Sequence, residues 1–157
     1  MKTRAFRRIA RYCAILILIA GCSRDLIKAP LLASRDRWDM TLVALTLGPD
    51  QYNMAGGYWE PRQGKRFAWA KIILRNKLKT DQQFNLERIF LSAGGKKIKP
   101  FILDMDSPIA VRANPGPRLK PDESISRKLI YIVPRDARPD SIIYENADIV
   151  IPDLKER

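Results

Sequence analysis

The chain has 157 residues, with 29 Lys and Arg against 17 Asp and Glu and a formal net charge of +12. That length buries one substantial core without disulfide staples, and 46% apolar residues is too many for a disordered tail. With no His there is no Ser-His-Asp or Cys-His catalysis, no imidazole metal ligand and no histidine pH switch.

Residues 1–12 carry Lys2, Arg4, Arg7, Arg8 and Arg11 and no acid, and an apolar run follows from Cys13 to Ala20. A basic segment, a short apolar segment and small residues before a cut site are the layout of an export signal, so residues 1–21 are expected to be cleaved. The run is too short for a membrane span, which needs ~20 apolar residues. The competing reading, an N-terminal helix in the core, leaves five positive charges without partners.

The segment Ile19-Ala20-Gly21-Cys22 resembles the bacterial lipobox. The resemblance implies a diacylglyceryl group on the Cys22 thiol, cleavage before Cys22 and acylation of the new amino group. Each buried CH₂ contributes roughly 0.8 kcal/mol, so two or three chains anchor a protein stably. Ser23 rather than Asp after the Cys resembles the pattern of lipoproteins passed on to the outer membrane of Gram-negative cells. Cleavage removes 21 residues, five of the 29 basic ones and none of the 17 acidic ones, leaving a net charge of +7. Cys13 leaves with the signal and Cys22 is lipidated, so the mature chain is expected to have neither a free thiol nor a disulfide.

Residues 22–37 read as the lipidated Cys and a tether, interrupted by Pro30, with docking of Leu26, Ile27, Leu31 and Leu32 as a short helix as the alternative. From residue 38 to 157 the signals are those of one β-domain. Trp38–Leu47 is an apolar-rich stretch closed by Gly48-Pro49. Phe67–Asn76 places Ala68, Ala70, Ile72 and Leu74 on one face and Lys71 and Arg75 on the other. Arg88–Ala93 leads through Gly94-Gly95, a hairpin-type pair, into Lys96–Leu103. Ile125–Val133, Ser141–Tyr144 and Asp148–Ile151 complete about seven strands, with 51–66 and 104–121 as the long connections. Short alternating strands at this spacing predict two packed antiparallel sheets.

Several segments in this order resemble a known family. Ile72–Asn76 ends a strand in Asn; Phe90–Lys97 makes a strand and turn; Leu119-Lys120-Pro121-Asp122-Glu123 precedes Leu129–Pro134; and a short strand lies near Tyr144. Together they resemble the immunoglobulin-like domains of small bacterial lipoproteins, a domain family of unknown function related to a secreted immunoprotective antigen. The likeness spans residues 38–152 and implies an Ig-like sandwich with no catalytic residues to carry over. Asp122 departs from it, because a Gly commonly follows the Pro there.

Three groups of residues are candidates for function. Asp104 and Asp106 would share a face of a strand and could form half of a hard-cation site, although the rest of a calcium loop is missing; the alternative is two solvated acids at a loop edge. Lys96, Lys97 and Lys99 around the hairpin turn suit either contact with anionic headgroups or envelope polymers, or protection of an edge strand. Tyr52, Tyr58, Trp59 and Arg62 surround Gly56-Gly57 with residue types enriched at interface centres; the alternative is a plug for one end of the sandwich. Trp69, on the polar side of its strand, is expected to be half exposed beside that loop. The pair Gly56-Gly57 lacks the further glycines and Lys-Ser/Thr of a phosphate loop.

The expected function is a non-enzymatic, lipid-anchored cell-envelope module that meets another envelope protein, with no cofactor and no catalytic residues. Nucleic acid is not expected for an exported chain without an RNA-recognition signature or zinc-finger spacing. The alternative is an envelope lipoprotein that binds a small ligand, a cation or a glycan.

Overall fold

The alternating pattern becomes strands, and in the computed structural model, which describes residues 23–152, these build two antiparallel sheets packed face to face. The leader, the cleavage site and Cys22 lie outside the described residues. The strands are β1 (Arg24–Asp25), β2 (Leu31–Ser34), β3 (Trp38–Leu47), β4 (Tyr52–Met54), β5 (Gly57–Trp59), β6 (Lys65–Asn76) and β7 (Gln82–Gln83). They continue as β8 (Phe90–Ala93), β9 (Lys96–Ile98), β10 (Ile102–Asp104), β11 (Arg118–Leu119), β12 (Ser124–Pro134), β13 (Pro139–Tyr144) and β14 (Ala147–Val150). One six-stranded sheet runs β1-β3-β6-β12-β10, with β2 also on β3, and the facing four-stranded sheet runs β14-β13-β8-β9. The hairpin β4–β5 and the pair β7–β11 are small additions.

The core between the sheets takes every second side chain. Ala68, Ala70, Ile72 and Leu74 of β6 and Leu129, Tyr131 and Val133 of β12 meet Ile89, Leu91, Ile142 and Ile149 from the other side. In β3 the buried positions are Trp38, Met40 and Leu42, then Leu45 and Leu47. A register shift between Leu42 and Ala44 changes the parity, so a β-bulge keeps both halves of the strand pointed inward. The indole of Trp38 lies 5.0 Å from the Tyr144 ring, and its Nε1 donates to Glu145 Oε2 at 2.8 Å. Tyr131, fully buried, donates its hydroxyl to the Ile89 carbonyl at 2.9 Å, and burial pushes its pKa well above the ordinary value.

Two sequence expectations need correction. Residues 24–34 are not a tether or a helix: β1 and β2 both pair with β3, and Leu26 and Ile27 enter the core. Apolar side chains so close to an open sheet edge gain more by closing it than by remaining in water. Lys96–Leu103 is two strands in different sheets: β9 pairs with β8, and after Lys99-Pro100 the chain crosses so that β10 pairs with β12. Pro100 has no N–H for a ladder, which ends the first pairing.

Asn76 closes the end of the sandwich opposite to Arg24. Its Nδ2 donates to the carbonyls of Thr80, Leu119 and Lys120, and its Oδ1 accepts from Leu78 N. The turn beside it has Glu123 N bonded to Lys120 O, with Asp122 at φ 61. That is the left-handed conformation for which Gly is the usual choice and Asp is tolerated.

Candidate functional site

The outer face of the six-stranded sheet carries a second, smaller core. Register places Trp69 opposite Ile130 and Phe67 opposite Ile132, and these side chains point away from the sandwich interior. Tyr52, Phe67, Ile102 and Ile130 are buried there, with Met54, Trp69, Ala110 and Ile132 packed around them. The β4–β5 hairpin lies over this cluster, so the alternative of a plug at one end of the sandwich gives way to a cover on a sheet face.

Alternation along the hairpin divides its aromatic residues. Tyr52 pairs with Trp59, and Asn53 with Tyr58. Tyr52 is buried and donates its hydroxyl to Asp104 Oδ2 at 2.7 Å; burial and the adjacent carboxylate push its pKa up to about 12. It is therefore removed from the candidate partner surface. Trp59 packs edge-on against Phe101 at 5.6 Å and is 46% exposed, while Phe101 is 42% and Tyr58 60% exposed. Trp59 and Phe101 are thus an accessible aromatic pair, Tyr58 is exposed on the other face of the hairpin, and Phe101 was not singled out from the sequence. Trp69 is half-buried, as expected, with its Nε1 donating to Pro49 O at 2.9 Å. A groove of about 240 Å³ lies against it, floored by Ala44, Thr46, Lys71 and Lys128. Arg62 stands apart in a polar hollow of about 390 Å³ with Glu60, Lys65, Asp50 and Arg135.

Asp104 and Asp106 do not form a shared cation site. β10 ends at Asp104, and Asp106 adopts φ 59, which turns the chain out of the strand. Asp104 Oδ1 accepts from Asp106 N at 2.9 Å while Oδ2 takes the Tyr52 hydroxyl. Asp106 sits between Lys71 (2.7 Å) and Lys128 (3.2 Å), residues paired directly across β6 and β12, and also accepts from Ser126 Oγ at 2.7 Å. Burial alone would raise its pKa, but hydrogen bonds from Lys71, Ser126 and Lys128 hold it down to about 2. Among the described residues no group of three or more Cys, Asp or Glu is placed to hold a metal ion.

Lys96 and Lys97 lie on β9, the edge strand of the smaller sheet, and Lys99 follows it. All three are exposed and form no ion pair with the described residues. The edge position suits strand protection. It also brings the β8–β9 turn to the end of the sandwich where β1 begins.

No family model matches the chain, and no curated protein matches it. Two solved structures are similar. A conserved hypothetical protein from Bacillus anthracis superposes with a TM-score of 0.54 at 11% identity, over 83% of this chain and 97% of its own. An uncharacterized β-sandwich protein from Clostridium difficile 630 gives a TM-score of 0.49 at 14% identity, over 74% of this chain and 85% of its own. The first likeness concerns the fold alone.

Proposed function

We propose that the chain is a lipid-anchored protein of the bacterial cell envelope whose β-sandwich, of the immunoglobulin-like lipoprotein type, serves as a non-enzymatic interaction or structural module. The observation that carries this reading is the adjacency of two boundaries. The lipobox-like Cys22 is followed by a single residue, Ser23, and then by β1 at Arg24. An export leader joined in this way to a folded β-domain has its cut site where the sandwich starts. Acyl chains on Cys22 would hold the domain at a bilayer and raise its effective concentration toward other envelope components. Trp59 and Phe101, with Tyr58 exposed on the opposite face of the hairpin, supply aromatic contacts that another envelope protein would meet. Ser23 after the Cys favours the outer membrane in a cell that has one.

Intact mass of the protein purified from membranes tests the anchor. The expected mass exceeds that of residues 22–157 by a diacylglyceryl and an acyl group, and Cys22→Ser releases the protein from the membrane fraction. The unmodified mass of residues 22–157 would overturn the anchor.

The groove beside Trp69 favours a second reading, an envelope lipoprotein that binds a small ligand or glycan. An aromatic wall above Lys71 and Lys128 suits a sugar or an anionic ring. A ligand at 100 times its Kd would add about 2.7 kcal/mol to stability in a thermal-shift screen. Absence of a shift with glycans and envelope fragments sets this reading aside.

A further inference from the structure

The two sheets bring a set of distant basic residues to one end of the sandwich. Leu47, the last residue of β3, pairs with Arg24 on one side and Ala68 on the other. The start of β6 and the end of β12 meet there, with Lys65 opposite Pro134. Arg135 N donates to Gly64 O at 2.9 Å, and Arg66 reaches across the mouth of the core toward the Ala137 carbonyl. In the facing sheet Ala93 pairs with both Pro139 and Lys96, and a side chain placed on Gly94 would touch Ala137. Arg24, Lys65, Arg66, Lys96, Arg135 and Arg138 therefore share one end of the molecule.

The acids at this end offset only part of that charge. Asp50 is tied to Arg135 at 2.8 Å and to Phe67 N at 2.9 Å, Glu60 shares the hollow of Lys65 and Arg135, Asp136 acts on Arg66, and Asp25 follows Arg24 on β1. These are fewer acids than the bases of this end once Arg62 and Lys97 are added. The lowered pKa of Arg66, set by burial and by Arg135 and Arg24 beside it, reflects the same crowding.

We infer that this end is a docking face for the anionic phospholipid headgroups of the bilayer in which the chain is anchored. The inference rests on the proposed lipidation for its geometry. Two residues span at most about 7 Å, so Arg24 cannot be farther than that from a Cys22 held at the bilayer surface. That distance lies within the ~8 Å Debye length of physiological salt, so Arg24 is held in range of headgroup phosphates, and laying this end onto the bilayer brings the other bases within the same range. The lysines of the β8–β9 turn thereby acquire a partner in the same plane as the anchor. The far end, with Asn76 and the Pro121-Asp122 turn, faces away from the bilayer.

The test uses residues 23–157 without lipid, which retain every residue of both cores. Binding is measured by flotation with vesicles of phosphatidylglycerol and phosphatidylethanolamine, and with phosphatidylcholine alone. Each Lys or Arg near an anionic surface changes partitioning roughly fivefold, so joint Lys65→Gln, Lys96→Gln and Lys97→Gln should weaken binding to the anionic vesicles about 100-fold. The same charge change at the far end, Lys79→Gln, Arg88→Gln and Lys120→Gln, should change it only a few-fold. Raising salt from about 0.1 to 0.5 M should abolish the difference. Equal losses in the two triple variants, or binding to polyphosphate without binding to anionic vesicles, would overturn the docking face. Failure to float with the anionic vesicles at about 0.1 M salt would likewise overturn the docking face, and because the tested chain carries no lipid, it leaves the mass measurement on Cys22 to stand or fall by itself.

Discussion

Replacing Asp106 by Asn tests how the outer sheet face tolerates two lysines side by side. Asn accepts a φ of 59 as readily as Asp does, so the backbone is not perturbed; the charge is removed and one of the two oxygens that accept from Lys71, Ser126 and Lys128 becomes an NH2. In the folded protein Asp106 titrates at about 2 against an ordinary 3.8, which favours its ionised form by a ceiling of about 2.4 kcal/mol. Lys71 and Lys128 are 40% and 36% exposed while Asp106 is 9% exposed, so water screens part of this attraction. A loss of about 1–2 kcal/mol at neutral pH is therefore expected. The sign follows from proton binding. Between about pH 2 and 4 the unfolded chain holds more protons at this site, so the stabilisation is complete above about pH 5 and disappears as pH falls through the folded value. By about pH 2.5 roughly two-thirds of the difference between wild type and Asp106→Asn should be gone. Urea unfolding at both pH values, read from midpoint and slope, measures it. A deficit of the same size at both, or one below about 0.3 kcal/mol at neutral pH, would refute the assignment of Asp106 as the neutralising group.

Three further outcomes can be checked by the same unfolding assay. Tyr131→Phe removes a buried hydroxyl from the Ile89 carbonyl and should cost about 1–2 kcal/mol, with no change in slope. Asn76→Ala strands the carbonyls of Thr80, Leu119 and Lys120 and should cost about 2–4 kcal/mol; Asn76→Asp, which aims a carboxylate at the same oxygens, should cost more at neutral pH than at acid pH. Asp122→Gly relieves a left-handed residue and loses an exposed ion pair with Arg75, so the two nearly cancel to within about 1 kcal/mol, whereas Asp122→Val should destabilise by about 1–2 kcal/mol. A stable Asp122→Val protein would mean that the turn has changed its conformation.

The principal strands were legible because their chemistry is local. β3 was read to the residue, since Trp38 and Gly48-Pro49 mark its limits, and the inward residues of β6 and β12 followed from alternation. The outer core was less visible. Leu129 to Val133 is apolar at every position, the pattern of a strand covered on both faces, yet alternation alone assigns it one buried side. The fate of β1 and β2 was hidden because two- and four-residue strands carry almost no periodic signal. Within the candidate site, Tyr58 and Trp59 were legible by residue type. The ion-paired trio of Asp106, Lys71 and Lys128 was not, because it depends on the register of β6 against β12, and the basic end depends on which strand ends meet.

The edge of the six-stranded sheet is closed by the first residues of the folded chain, and this governs how the protein can be shortened. β1 and β2 lie end to end along β3, while Leu26 and Ile27 between them fill the core. Trimming to Trp38 would bare the hydrogen-bonding groups of a ten-residue strand and leave a hole behind it in one step. Such a fragment presents β3 as a long open edge, so edge-to-edge pairing of β3 between copies is the failure to expect from a truncated sandwich.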